Sequence, residues 1–302
     1  MPRAAVLGPG GVGGFLAAAL DRAGEDAVIV AREETVELIK TEGLTVQSVR
    51  LGDFEARPPA FALLEEPVEV LFVATKSTGL LAGLERIRAE PELVVPLLNG
   101  LDHMAVLRER FGPGRVAAGT IRIESDRPEP WRIVQTSPFL RIDLASNDPG
   151  LSPALERVAT MLARASIPAE IGPSEAQILW SKLVRLNALA CTTSAADRQI
   201  GFIRSDPEWR QALIGCIEEG ATVANADGAR IDPAARLAEL DDAHAELGSS
   251  MQRDIAAGRE PELDAIPGAV LRAGARHGIE CPTIARLSVR IAARAGIDPP
   301  RY

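Results

Sequence analysis

The first residues able to do chemistry lie in Gly8-Pro9-Gly10-Gly11-Val12-Gly13-Gly14. Glycines at 8, 10 and 13 have the spacing of a dinucleotide-binding turn. The first permits a tight turn, the second lets backbone approach a pyrophosphate, and the third lets a helix pack closely on a strand. Gly11 and Val12 complete the turn, and the helix start behind it directs free N–H groups and a positive dipole end at phosphates. The alternative is a tight turn with a purely structural part. Arg32 follows the next apolar run, Val28-Ile29-Val30. An acidic residue there suits the ribose 2′-hydroxyl of NAD, whereas arginine suits a 2′-phosphate. Arg32 therefore predicts NADP (NADPH), although Glu33 and Glu34 follow at once and either could lie near the ribose.

Five more positions carry candidate chemistry. Lys76, in Thr75-Lys76-Ser77-Thr78, follows an apolar run and could place a cation near cofactor or substrate, with Ser77 or Thr78 capping the next helix. The alternative is a solvated loop lysine. Asn99, before Gly100, offers both donor and acceptor at the end of another apolar run, or it is simply an Asn-Gly turn. Lys182 sits inside the apolar stretch Trp180-Ser181-Lys182-Leu183-Val184. Burying an ammonium is costly unless it is paired. Lining a cleft, Lys182 becomes a usable general acid; otherwise it snorkels to solvent. Ser250 falls on a helix, and Glu262 follows a break marked by Gly258 and Pro261. A loop could bring both to one cleft, or they form a capped, solvated helix end.

The elements that must position these groups are legible as patterns. Ala4 to Leu7 and Val28 to Val30 read as strands flanking an amphipathic helix through Phe15, Leu16, Ala19 and Leu20. A helix around Val36 to Ile39 leads to an extended Gly43 to Val46. Val68 to Thr75 and Leu93 to Leu98 have the continuous apolar character of buried parallel strands, whose following loops line a ligand crevice. From Val116 to Ala145 the pattern is extended and predicts antiparallel strands finishing the first domain. A helix from Ser152 to about Ala165 and a short strand, Ile167 to Ile171, precede a boundary at Gly172-Pro173-Ser174. Beyond it the chain reads as helix: Gln177 to Ala195, Pro207 to Asp227, Pro233 to Ile255, Ile266 to His277 and Thr283 to Ala295. The expected fold is an α/β N-terminal Rossmann-type dinucleotide-binding domain over residues 1–172, followed by an all-α substrate and catalytic domain over 173–302, with a cleft between them.

Composition narrows the partners. The chain has 302 residues, 46% hydrophobic and 25% charged, which predicts packed domains and not disorder. Its net charge of −9 argues against nucleic acid as the main partner. Cys191, Cys216 and Cys281 have no paired spacing, so neither a disulfide frame nor a metal site is expected. No long uncharged apolar run or cleavable signal is evident, so no membrane partner and a cytoplasmic location are expected. Arg122 and Arg141 lie in the strand-rich stretch and read as solvated.

Taken together, these motifs resemble the ketopantoate reductase (2-dehydropantoate 2-reductase) family nearly end to end. The resemblance rests on Gly8, Gly10 and Gly13, on Arg32, on Thr75-Lys76-Ser77 and on Asn99-Gly100. It continues through Trp180 to Val184, the Ser-Ser-Met-Gln…Glu-Leu-Asp-Ala-Ile stretch, Gly268-Ala269-Val270, His277-Gly278-Ile279 and Pro282-Thr283. It implies NADPH-dependent reduction of a 2-keto acid, with 2-dehydropantoate in pantothenate biosynthesis as the first expectation. By resemblance, Lys182 protonates the carbonyl oxygen, Glu262 orients or pairs with Lys182, Ser250 binds substrate, and Asn99 and Lys76 touch cofactor and substrate. One departure bears on the substrate. The family's asparagines four and eight residues after the lysine are Leu186 and Ala190 here, and a third asparagine position is Pro267. Asn187 is five residues on, roughly 140° around the helix, and does not replace them. Arg185 could meet a carboxylate instead. The second expectation is therefore a relative acting on another branched or aromatic 2-keto acid, of the D-2-hydroxyacid (mandelate-type) dehydrogenases. A third is a non-catalytic NADP sensor, for which Lys182 and Glu262 would be superfluous. A homodimer is the preferred assembly.

Overall fold

The computed structural model describes residues 3–302. The chain divides into two compact units. The first runs through Leu98 and again over His103–Ile178; the second comprises Asn99–Asp102 and Leu179–Tyr302.

In the first unit, β1 (Ala4–Leu7) is followed by α1 (Gly11–Arg22), β2 (Ala27–Val30), α2 (Glu33–Glu42), β3 (Leu44–Ser48), β4 (Phe54–Ala56), β5 (Ala60–Phe61), β6 (Val70–Val73), α3 (Leu80–Leu84) and β7 (Leu93–Pro96). Then come α4 (His103–Phe111), β8 (Ala118–Arg122), β9 (Ser125–Glu129), β10 (Arg132–Gln135), β11 (Arg141–Ala145), α5 (Ser152–Arg164) and β12 (Ala169–Ile171). A parallel sheet in the order β5-β2-β1-β6-β7 forms the centre. Each residue of β1, β2, β6 and β7 is buried, as strands covered on both faces must be. The chain leaves β1 toward β2 on one side and returns to β6 on the other. The carboxyl ends of β1 and β6 are thus the switch point where such sheets bind ligands.

Two sequence expectations change here. The helix α1 is not amphipathic: every residue from Gly13 to Leu20 is buried. A second sheet, β4-β3-β10-β9, packs on the side of α1 away from the parallel sheet. A helix apolar all round has to be enclosed all round. The stretch 116–145 is also not one antiparallel group. β8 and β11 pair antiparallel, with β12 parallel to β11, whereas β9 and β10 join the second sheet, where β10 runs parallel to β3. This register sets Arg122 opposite Arg141, and both guanidiniums turn to the buried carboxylate of Asp143, at 3.8 and 2.8 Å. They are structural ion-pair partners, not solvated residues. Two like charges facing each other across strands need such a counter-ion.

The second unit is helical: most of α6 (Glu175–Ala196), then α7 (Ile200–Ser205), α8 (Pro207–Ala226), α9 (Pro233–Asp241), α10 (Ser250–Ala256), α11 (Ala269–His277) and α12 (Pro282–Ala295). The single helix expected over 233–255 is two. Arg204 Nη1 donates to the carbonyls of Leu240 and Ala243 at 3.1 and 2.8 Å, satisfying the end of α9. Ser249 then caps α10, its Oγ accepting from Gln252 N at 3.1 Å while Thr193 Oγ1 donates to it at 2.9 Å. The helix expected from Ile266 begins as a wider π-type turn over Asp264–Gly268, which contains Pro267. Pro267 has no N–H for a regular ladder.

Inside α6, Trp180 Nε1 donates to Asp227 Oδ2 at 2.8 Å, and His277 Nε2 contacts Oδ1 of the same carboxylate at 2.8 Å. That pins one face of α6 and leaves Ser181, Lys182, Arg185 and Leu186 on its less buried face. No helix among the described residues is long and apolar enough to cross a membrane. Cys191, Cys216 and Cys281 are buried and free. Burial, then the nearby Glu219 charge, pushes the Cys281 thiol up to about 11. Contact with Cys191 and burial also raise Cys216. A raised thiol stays protonated below its pKa, and at pH 8 only about one Cys281 in a thousand is thiolate. Iodoacetamide at pH 8 is therefore expected to leave all three cysteines unmodified in the native protein and to alkylate all three in guanidinium, as mass spectrometry would show.

Candidate functional site

The glycine turn follows β1 and opens α1. Gly8 has φ +90°, and a Cβ there would lie 2.8 Å from Thr75 Cγ2, just past β6. Gly8 N donates to Val30 O at 3.1 Å, which ties the turn to the end of β2. A Cβ on Gly13 would sit 2.2 Å from Gly8 O, so only glycine lets α1 come this close to β1. Gly10, by contrast, has nothing within 4 Å: a Cβ there would point into open space. Gly10 is also the N-cap of α1, no side chain caps the helix, and no acidic residue lies in its first turn. Uncapped N–H groups facing open space make a place for phosphate. Gly11 is constrained from the other side. Its Cβ would fall 2.4 Å from Ser125 O, and Ser125 Oγ donates to Gly11 O at 2.8 Å. The strand β9 thus lies directly against the turn, and Val12 packs at the edge of the same core.

Arg32 is the N-cap residue of α2 and exposed, and its side chain forms no ion pair or hydrogen bond among the described residues. Glu33, the rival group for the ribose, is occupied. Arg86 Nη1 and Nη2 donate to its two carboxylate oxygens at 3.0 and 3.1 Å, and this pairing holds the Glu33 carboxyl below its ordinary range. Glu34 is exposed in the first turn of α2. Sequence reasoning missed two further arginines: Arg86, which neutralises Glu33, and Arg127 of β9. Arg127 is half-buried, and its Nη1 donates to Pro9 O at 2.6 Å across 118 residues of sequence. No local pattern around Arg127 could signal this, because the contact exists only once β9 lies on α1. Lys76 is exposed at the start of the short turn Ser77–Gly79 after β6. The cap of α3 is Gly79, and neither Ser77 nor Thr78 as expected. These groups fit a nicotinamide dinucleotide: open space before uncapped amides for the pyrophosphate, with the Arg32 side chain exposed just past the end of β2.

In the second unit, Asn99 Nδ2 donates to Glu262 Oε2 at 2.9 Å. Glu262 is only 9% exposed, and a buried carboxylate must be met by donors. The turn bearing Asn99 is held tightly. Gly100 has φ +86°, and a Cβ would lie 2.1 Å from Ala265 O. Arg272 Nη2 donates to Asp102 Oδ2 at 2.6 Å and to Asp264 O at 2.8 Å, joining the turn to the segment after Glu262. Lys182 is half-buried on α6. Leu186, one turn on, is likewise half-exposed, so the neighbouring surface of that helix is apolar; Ala190 is fully buried. Asn187 is also fully buried, accepting from Cys191 Sγ at 3.4 Å, and does not share the Lys182 face. Arg185 lies 3.5 Å from Glu239, a carboxylate that Arg236 also meets at 2.8 Å. Pro267 is buried in the π-type turn, and Ser250 is exposed as the first residue of α10. Among the described residues no cluster of side chains could hold a metal ion.

Comparison with known proteins places this geometry. The family described as ketopantoate reductase PanE/ApbA matches residues 4–148, and its C-terminal counterpart matches 176–295. A 2-dehydropantoate 2-reductase of Caulobacter vibrioides is 28% identical over 98% of this chain and 100% of its own. The crystal structure of a 2-dehydropantoate 2-reductase from Geobacter metallireducens superposes with a TM-score of 0.89 and 26% identity, covering 96% of this chain and 99% of that one. A D-mandelate dehydrogenase solved with NADH and anilino(oxo)acetate shares the fold, with a TM-score of 0.88 at 20% identity over 97% of this chain and 98% of that one.

The close approach at Gly100 gives a direct test of how the Asn99 turn is built. Gly258→Ala, at φ +64° with open space around it, is expected to cost about 1 kcal/mol of unfolding free energy in urea. Gly100→Ala adds a backbone collision to the same strain and is expected to cost at least about 2 kcal/mol more.

Proposed function

The chain belongs to the ketopantoate reductase family of oxidoreductases acting on CH–OH groups, and from that premise we propose that it reduces 2-dehydropantoate to pantoate with NADPH. The observation that carries the reading is the Asn99–Glu262 hydrogen bond, which holds a buried carboxylate ready to orient a cation. A bound nicotinamide supplies the hydride. The chain's own residues then have distinct tasks. Gly8 and Gly10 shape the turn, their own amides bonded to Val30 O and Gly8 O, and Gly11, Val12 and Gly13 receive the pyrophosphate on backbone amides at the helix start. Arg32 meets the 2′-phosphate, with Glu33 kept away by Arg86. Lys76 adds a cation near the crevice. Ser250 binds the substrate, and Asn99 helps to fix its position.

Lys182 is the general acid. As the carbonyl carbon gains hydride, negative charge grows on its oxygen, and the ammonium of Lys182 passes that oxygen a proton. The C=O bond becomes CH–OH, and Lys182 regains its proton from solvent. Glu262 orients Lys182. A second reading follows from Leu186: an apolar side chain one turn from Lys182 suits a keto acid with a bulkier apolar side chain. We take the assembly to be a homodimer.

Purified protein is expected to oxidise NADPH when given 2-dehydropantoate. Lys182→Ala is expected to lower kcat by about 10²- to 10⁴-fold while leaving the NADPH dissociation constant within about threefold. Undiminished turnover in that variant would overturn the role of Lys182. Faster turnover of benzoylformate than of 2-dehydropantoate would favour the second reading. Tight NADPH binding with no turnover of any keto acid would show that the chain is not a reductase.

A further inference from the structure

A half-buried guanidinium with no acidic partner is unusual, because an uncompensated charge away from water is costly. Arg127 is such a group. Its side chain has one protein partner among the described residues, the neutral carbonyl of Pro9 at 2.6 Å, and no carboxylate at ion-pair distance. Pro9 lies between the two glycines of the phosphate-binding turn, and Gly8 N is bonded to Val30 O at the end of β2. Arg32 lies two residues beyond Val30, and its side chain also has no partner among the described residues. Arg32 at the start of α2 and Arg127 of β9 are thus near enough at this side of the turn for their charges to interact. Burial first, and the Arg32 charge second, lower the Arg127 pKa. Glu33, next to Arg32 in sequence, is already taken by Arg86. Two adjacent cations with no counter-ion are mutually repulsive until an anion is shared between them.

We propose that Arg127 is a specificity-determining residue that grips the 2′-phosphate of NADPH jointly with Arg32. The contact with Pro9 O fixes the guanidinium in place before the cofactor arrives, so little side-chain freedom is lost on binding. The pyrophosphate, common to NADPH and NADH, belongs at the uncapped start of α1 beside Gly10. The Arg32 end of the turn is where the two cofactors differ. Arg127 thus discriminates between cofactors rather than binding both. This inference rests on NADPH being the cofactor.

The test is a fluorescence titration of the full chain with NADPH and with NADH. The variants are Arg32→Ala, Arg127→Gln and Arg127→Lys. Glutamine keeps a donor for the Pro9 carbonyl and removes the charge; lysine keeps the charge. Arg127→Gln is expected to weaken NADPH about tenfold or more and to leave NADH within about threefold, with Arg127→Lys between it and the wild type. Adenosine 2′-monophosphate is expected to compete with NADPH in the wild type and to lose about tenfold in Arg127→Gln, whereas adenosine 5′-monophosphate does not change. Equal weakening of NADPH and NADH would mean that Arg127 only holds β9 to the turn, and would overturn the proposal. So would an unchanged NADPH affinity in Arg127→Gln alongside a loss in Arg32→Ala, which leaves the cofactor assignment standing. A wild type that binds NADH as tightly as NADPH would remove the cofactor assignment itself, and this inference with it.

Discussion

The first unit depends on how closely α1 approaches β1. At Gly13 the gap to the Gly8 carbonyl admits no side chain. This contact sets the helix start over the end of the central strand, where its amide groups meet open space. The same helix is enclosed on its far side by the second sheet. Phe15, Leu16 and Leu20 are fully buried, and each such side chain contributes about 1.5–3 kcal/mol when taken out of water. The glycine turn is consequently rigid because the helix behind it cannot move without exposing apolar surface on two faces.

Enclosing α1 has a chemical consequence. The second sheet brings β9 against the turn, with Ser125 on Gly11 and Arg127 on Pro9. A segment that covers a helix thereby also adds charge beside the glycine turn. Arg86 acts in the opposite sense by withdrawing the carboxylate of Glu33. Positive potential at the Arg32 end therefore comes as much from neutralising an acid as from supplying bases, in a chain whose net charge is −9.

The second unit solves a different problem, the placement of a buried carboxylate. Glu262 precedes a turn too wide for a regular helix, and Asn99 reaches it from a turn far away in sequence. Gly100 lets the two backbones touch, and Arg272 ties them through Asp102 and Asp264. Four structural residues, Gly100, Asp102, Asp264 and Arg272, thus serve one hydrogen bond. Fixing α6 through Trp180 and Asp227 orients Lys182 on the less buried face of that helix by the same logic.

The sequence by itself determined the elements whose signals are local. Buried parallel strands are continuous apolar runs, so β1, β2, β6 and β7 could be read directly, as could the glycine turn and the helical nature of the second half. Local chemistry also marked Lys182, Glu262, Asn99 and Arg32 as residues able to act, although it could not join Asn99 to Glu262. What failed locally was anything set by a distant neighbour. The apolar residues of α1 could not reveal a second sheet, the stretch 116–145 could not reveal that its strands divide between sheets, and Pro233 to Ile255 did not show that Arg204 and Ser249 would end one helix and start another. Arg122, Arg141 and Arg127 each looked like a solvated or unremarkable arginine until a carboxylate or a carbonyl arrived from elsewhere in the chain. Periodicity and turn chemistry report on a few residues at a time, whereas the charge balance at each site is set by pairings across the whole fold, and only the tertiary structure decided those.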